Sequence, residues 1–262
     1  MTYKHGVYTQ EVPTSIVPAV NSTAGLPVVF GTAPVHLARD RAPINKPVLC
    51  YSYSEAVIQF GFSKDFAKYT LCEVIYSQFA LYNRAPVVFV NVLDPKTHKK
   101  TVSDKEVTLT NKVGKLEAAV LLETLKVKKA SAGQPLSVGT DYEAAYDDDG
   151  VLVITVLEGG EAESAASLFL DYDELDASMV DADDIIGGVS VSDGSVKGLE
   201  VLNKVFPAVN LVPGIVLAPG WSENQTVAAV MKAKAGNINS HFKAITLNDV
   251  PTDAVKKYTD VK

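Results

Sequence analysis

Four histidines, His5, His36, His98 and His241, are the side chains best suited to hold a transition metal or move a proton near neutrality. Metal sites commonly show two such ligands two to four residues apart. None of the four has a second histidine at that spacing, so each reads as a surface or turn residue. The acidic stretch Asp147, Asp148, Asp149, Gly150 suggests calcium, but an EF-hand loop built on Gly150 would need ligands where Ala145 and Val156 stand. A hairpin turn with Gly150 at positive φ fits better.

Two loops sit where α/β proteins often bind ligands. The first, "GGVSVSDGSVKG" at residues 187–198, is glycine-rich and precedes a helical pattern, a setting for phosphate. It lacks the Gly-Lys-Ser/Thr of a P-loop and misses the G-x-G-x-x-G spacing, so a plain flexible turn is expected. The second, "APGWSEN" at residues 218–224, follows a strand and opens a helix. No G-x-S-x-G elbow surrounds Ser222, which reads as an N-cap forming a box with Gln225. Trp221, the sole tryptophan, either packs in the loop or marks a contact surface.

The loops from Gly187 to Ser195 and from Ala218 to Ser222 support an alternative reading, a small α/β ligand-binding or hydrolytic domain. Yet nowhere do a nucleophile, a base and an oxyanion site assemble. The residues therefore point away from catalysis, and no catalytic, cofactor or metal residue is assigned. The acidic run "DYDELDASMVDADD" at residues 171–184 has no basic partners in the sequence and reads as a solvated linker.

The elements that would carry these residues follow from periodicity. Residues 26–31 (LPVVFG) read as a buried strand. Ser52 and Glu55 fit a capping box for a helix stopped by Gly61, and Thr70 with Glu73 repeats the box for a second helix. That helix carries Leu71, Val74, Ile75, Phe79 and Tyr82 at helical spacing. Residues 86–93 (PVVFVNVL) are apolar enough for a strand covered on both faces. From Val102 to about Leu170 the pattern is short alternating segments, including Val107 with Leu109 and Leu125 with Val127. Residues 142–146 and 151–157 flank the acidic turn as a hairpin. Helical period returns near Val196, with Leu199, Leu202 and Val205 on one face and Pro207 ending the helix. A strand at 214–218 follows, then a helix through Val227, Val230 and Met231 to Gly236, a strand at 242–247 and a last helix starting at Thr252.

The fold class is therefore α/β, or α+β overall: a sandwich core of residues 23–94 plus 185–262, interrupted by an inserted β-rich domain at residues 95–184. Residues 1–22 form an extended N-terminal arm. Its stretch "GVYTQEVPTSIVPAV" is rich in strand formers, while Pro13 and Pro18 bar it from a helix or a central strand.

At 262 residues, 47% hydrophobic and 21% charged, the composition is that of a folded globular protein. A formal net charge of −7, with no basic tract, argues against nucleic-acid and anionic-membrane partners. No run of 18 apolar residues and no signal-peptide pattern occurs, so Cys50 and Cys72 read as reduced thiols of a cytosolic chain, Cys72 packed inside.

Taken together, "YKHGVYTQEVPTS", "GLPVVFGTAPVHLA", "PVLCYSYSEAVIQFG", "APVVFVNVLDPKTHKK", "DDIIGG" and "FPAVNLVPGIVLAPGWS" resemble the contractile tail sheath proteins of myophages and phage-tail-like bacteriocins. Their order, over nearly all of the chain, carries the likeness; the β-rich insert matches least. The resemblance implies a structural, non-enzymatic subunit that polymerises around a tail tube and contracts to drive the tube through the host envelope. It would assemble in the bacterial host cytoplasm and reside in the virion tail or a phage-tail-like particle. It implies as partners other copies of the full-length protein, the tube protein and the baseplate, with no cofactor, nucleic acid or membrane. It implies that the arm, through Tyr3, Val7, Tyr8, Val12, Ile16 and Val17, adds a strand to a sheet in a neighbour's C-terminal domain. Lys256, Lys257 and the acidic run are candidate intersubunit charges. A further C-terminal domain is expected beyond Lys262. Without it, this chain is expected to be a monomer.

Overall fold

The computed structural model describes residues 25–257 and Thr259. Its fold is α+β, built on one five-stranded sheet and two three-stranded ones. The arm positions named above, with His5, lie outside the described residues.

The main sheet runs in the order β13 (Ile245–Leu247), β12 (Ile215–Leu217), β1 (Pro27–Gly31), β3 (Val87–Asn91), β2 (Val48–Cys50). All neighbours are parallel except β2, which runs antiparallel to β3. Every residue of β3 is buried, as a strand covered on both faces requires. One face carries α1 (Tyr53–Phe60) and α2 (Thr70–Ile75), the latter continued by a π-helical turn, Tyr76–Leu81. Phe89 of β3 meets Phe60 and Phe79 there, ring centres 5.6 and 6.1 Å apart. The other face carries α5 (Gln225–Ala235), which packs on β12 and β13 and against α3 (Ala182–Ile186). Val28, Val29, Phe30, Phe60, Phe89 and Leu71 are fully buried, each worth about 1.5–3 kcal/mol of apolar transfer.

The β-rich part holds two antiparallel sheets. One orders β4 (Lys99–Thr108), β9 (Ser167–Leu175) and β6 (Lys126–Lys128). The other orders β5 (Val113–Leu116), β8 (Leu152–Val156) and β7 (Tyr142–Tyr146). Alternate inward residues, among them Val107, Val127, Ile154, Leu168 and Leu170, form a second apolar core. The β7–β8 hairpin closes as expected: Gly150 has φ of +78° and donates its N–H to the Asp147 carbonyl.

Several expectations are corrected. The segment from Val196 starts not as an α-helix but as β11 (Val196–Lys197), paired with β10 (Gly188–Val189), then a short 3-10 turn before α4 (Leu202–Val209). Pro207 lies inside α4 rather than ending it. The stop is Asn210, whose left-handed backbone (φ of 56°) lets its N–H bond the Phe206 carbonyl. Leu199, Leu202 and Val205 are buried as expected. Thr70 does not cap α2; it is the first helical residue, and its hydroxyl oxygen accepts the Thr32 N–H at 3.3 Å. Tyr82 is exposed, since the π turn moves the helical register off the apolar face. Residues 252–254 make a turn onto the Pro251 carbonyl rather than the start of an α-helix. Among the described residues, no helix is long and apolar enough to cross a membrane.

The acidic run is the largest correction. Its first half is β9, the central strand of a sheet, and not a linker. Alternation sends Leu168, Leu170 and Tyr172 inward, while the acids meet bases delivered by neighbouring strands. Asp171 reaches Lys128 at 2.9 Å, Asp173 reaches Lys99 at 2.5 Å and Glu174 reaches Lys100 at 3.4 Å. Cross-strand pairing is invisible to a count along the chain.

Candidate functional site

The loop at 218–222 leaves the C-terminal end of β12, the side of a parallel sheet where ligands usually bind. Its Ser222 hydroxyl and Gly220 N–H are already engaged, whereas the buried Trp221 Nε1 has no hydrogen-bond partner among the described residues. Ser222 is 3% exposed, donates its hydroxyl to Asp249 Oδ2 at 2.9 Å and accepts the Asp249 N–H at 2.7 Å. Asp249 Oδ2 also accepts the Gly220 N–H at 2.7 Å. Ser222 is therefore not the cap of α5; the cap is Asn224, whose side chain accepts the Thr226 N–H. Trp221 is half-buried against the main core, so it packs in the loop.

The glycine-rich loop is a short hairpin rather than a loose turn. Gly187 and Gly198 have φ of +66° and +54°, and a Cβ on either would fall 2.0 Å from the Lys197 oxygen or 2.4 Å from the Ile185 oxygen. The Ser190 N–H bonds the Ser195 carbonyl, the Gly194 N–H the Ser190 carbonyl, and the Ser195 N–H the Asp193 carboxylate. Hydrogen bonds from the Ser190 hydroxyl and from Ser195 hold the Asp193 carboxyl down at about 2. A fixed negative charge sits where a phosphate would need positive ends of N–H dipoles. Val189 and Val191 stand exposed on the same hairpin.

The histidines separate by environment. His36 lies in a short 3-10 turn, Val35–Leu37, but is buried rather than at the surface, and is flanked by Tyr69 and Tyr146 at ring distances of 5.9 and 5.4 Å. Burial, then the nearby charges of Arg41 and Lys68, lower its pKa to about 3. His98 is a turn residue: its Nδ1 accepts the Asp94 N–H at 3.0 Å, and its Nε2 lies 3.4 Å from Asp184. His241 lies in the turn after α5, its Nδ1 2.7 Å from the Asn239 carbonyl. Among the described residues no three His, Cys, Asp or Glu side chains cluster to hold a metal ion. Cys50 and Cys72 are buried free thiols, both pushed up to about 12 by burial. Lys256 bonds the Thr252 carbonyl at 2.8 Å on the surface.

Two grooves remain. One, of about 690 Å³, separates the main-sheet region from the β-rich part, with His36, Lys68, Lys100, Asp149 and Glu174 on its walls. Its charges are mixed in sign and belong to no single constellation. The other, of about 710 Å³, is mostly apolar and opens beside Gly25, between α2, β12 and β13. Neither the 187–195 loop nor the 218–222 loop lines either groove.

The likeness read from the sequence is matched by comparison. The chain is 28% identical over 250 residues to the tail sheath protein of Burkholderia phage BcepMu, covering 95% of this chain and 49% of that protein. The sheath tail protein Lin1278 from Listeria innocua aligns in structure over 84% of this chain and 47% of its own, with 12% identity and a TM-score of 0.33. No family model matches the chain. The chain resembles a phage tail sheath protein and spans about half the length of the relatives it matches.

Proposed function

We propose that this chain belongs to a structural subunit of a contractile phage tail sheath. The observation that carries the reading is the alignment to a tail sheath protein across nearly the whole chain. The loops at 187–195 and 218–222 agree with it, because Asp193 and Ser222 are spent on internal hydrogen bonds. In this reading subunits polymerise around a tail tube, and contraction comes from rigid bodies sliding to new intersubunit contacts rather than from catalysis. Residues 1–22 act as the donated arm, 23–94 with 185–262 as the core, and 95–184 as an insert. Other subunits, the tube protein and the baseplate are its partners, met in the host cytoplasm during assembly and retained in the virion tail. By itself this chain is a monomer.

Electron microscopy of the protein expressed from its intact reading frame tests the proposal. Hollow striated tubes that shorten and widen on triggering are expected, and tubes should fail to form when residues 2–20 are deleted. Discrete particles at all concentrations, or a strong specific thermal shift with a nucleotide or metal, would overturn it. Light scattering of the present chain should give the mass of one copy.

A further inference from the structure

The main sheet is covered unevenly. On the face that carries α1 and α2, register places Val29, Ile215, Leu217, Ile245 and Leu247 in successive strands pointing the same way. Val29 is buried under α2, whereas Ile215 and Leu217 are only half-buried. Ile245 and Leu247 are 60% and 51% exposed. A mostly parallel sheet normally hides both faces, and β13 also presents an edge that pairs with no strand among the described residues. The apolar groove lies over this bare half, and its first lining residue is Gly25, to which residues 1–24 are joined.

We propose that residues 6–20 of the same molecule lie in this groove and along β13. Three observations select this occupant. The segment supplies Val7, Val12, Ile16 and Val17, aliphatic side chains matched to Leu26, Ile215, Leu217 and Leu247. The only charged residue in 6–20 is Glu11, and the only charged residue lining the groove is Arg84, which has no ion-pair partner among the described residues. The tether is short. Crossing from β1 to the β13 edge takes about 10 Å at ordinary strand spacing, a distance that a few extended residues span. Such a tether gives an effective concentration in roughly the millimolar range, which a second copy does not match in dilute solution. Pro13 and Pro18 are compatible with pairing at a sheet edge. The proposal stands independently of the sheath reading. Before assembly into a tube the cis-bound segment would be the resting form of the arm.

The test uses the whole chain with Ile16→Cys and Leu247→Cys and a short bis-maleimide, Cys50 and Cys72 being buried and held as thiols. A cross-link within one chain is expected; a cross-linked dimer would mean that a second copy fills the groove, and no cross-link that nothing does. Either of these overturns the proposal. Hydrogen exchange supplies the second arm. Deleting residues 2–20 should speed exchange across 245–247 at least tenfold. Arg84→Glu should do so partly, and Glu11→Arg in the same chain should restore protection. Unchanged exchange in all these variants overturns the proposal. Tubes formed without the cis cross-link would sink this inference alone, and a cis cross-link without tubes would sink the sheath reading alone.

Discussion

Ser222 and Asp249 are bonded to each other twice: the serine hydroxyl donates to the aspartate carboxylate, and the aspartate backbone N–H donates back to the serine oxygen. The pair joins the loop after β12 to the segment after β13, fixing the C-terminal ends of two neighbouring strands. Ser222→Ala removes both bonds and leaves the half-buried Asp249 N–H without its acceptor. A loss of about 1–3 kcal/mol is expected in urea unfolding. A catalytic role would instead leave stability nearly unchanged.

His36 predicts a pH dependence. In the unfolded chain its imidazole gains a proton near the ordinary 6.5, whereas in the folded protein it does so only near 3. Between these values the unfolded state binds more protons, so the contribution is whole above pH 6.5 and is lost as pH falls toward 3. The full effect is at most roughly 5 kcal/mol. Phe in place of His36 keeps an aromatic ring against Tyr69 and Tyr146 but cannot titrate. Denaturant midpoints measured from pH 7 to pH 4 should fall more for the native chain than for His36→Phe. Parallel slopes would refute this.

Local signals in the sequence were reliable wherever one element settles its own state. Ser52 caps α1, accepting the Glu55 N–H, and Gly61 ends that helix at φ of 72°. The apolar runs became β1, β3 and β12 because buried strands need no partner-specific information to be apolar. Partners distant in sequence decided the rest. Thr70 was drawn from a capping position by Thr32, 38 residues away, and Ser222 by Asp249, 27 residues away. The acids of β9 resembled a linker because their lysines come from strands up to 74 residues distant. Nothing in the spacing of Leu26, Arg84, Leu217 and Leu247 reveals that they line one groove; only the strand order does.

Lys128 is the most enclosed lysine of that β-rich region. Its ammonium bonds Asp104 at 2.6 Å, Asp171 at 2.9 Å and the Ser131 carbonyl at 2.9 Å. The pairing lies beside the bulge in β4, where Asp104 takes φ of 53° and the register shifts between Val102 and Lys105. Hydrogen bonds to Asp104 and Asp171 raise the Lys128 pKa, and Asp171 is lowered by the Asp104 N–H and by Lys128. Lys128→Met leaves two carboxylates facing each other without their cation. It should lower the melting temperature by clearly more than Lys129→Met, whose ammonium makes one exposed bond to the Glu161 carbonyl. Equal shifts would show that the cluster is only a solvated surface network.

Gly198 offers the sharpest test of the hairpin base. Its φ of +54° is costly for any L side chain, and an added Cβ would lie 2.4 Å from the Ile185 carbonyl and 2.7 Å from that of Asp184. Both are backbone atoms at the end of α3 and cannot rotate away. Gly198 also donates its N–H to Asn45 at 2.8 Å, tying the hairpin to the loop before β2. Gly198→Ala therefore has to displace α3 or give up the Asn45 bond, and a destabilisation above about 2 kcal/mol is expected. Gly194→Ala, also at positive φ but with open space around its Cβ, should cost about 1 kcal/mol. Chemical denaturation of the two variants side by side checks the difference. Equal losses would show that close packing at the hairpin base contributes nothing beyond backbone conformation.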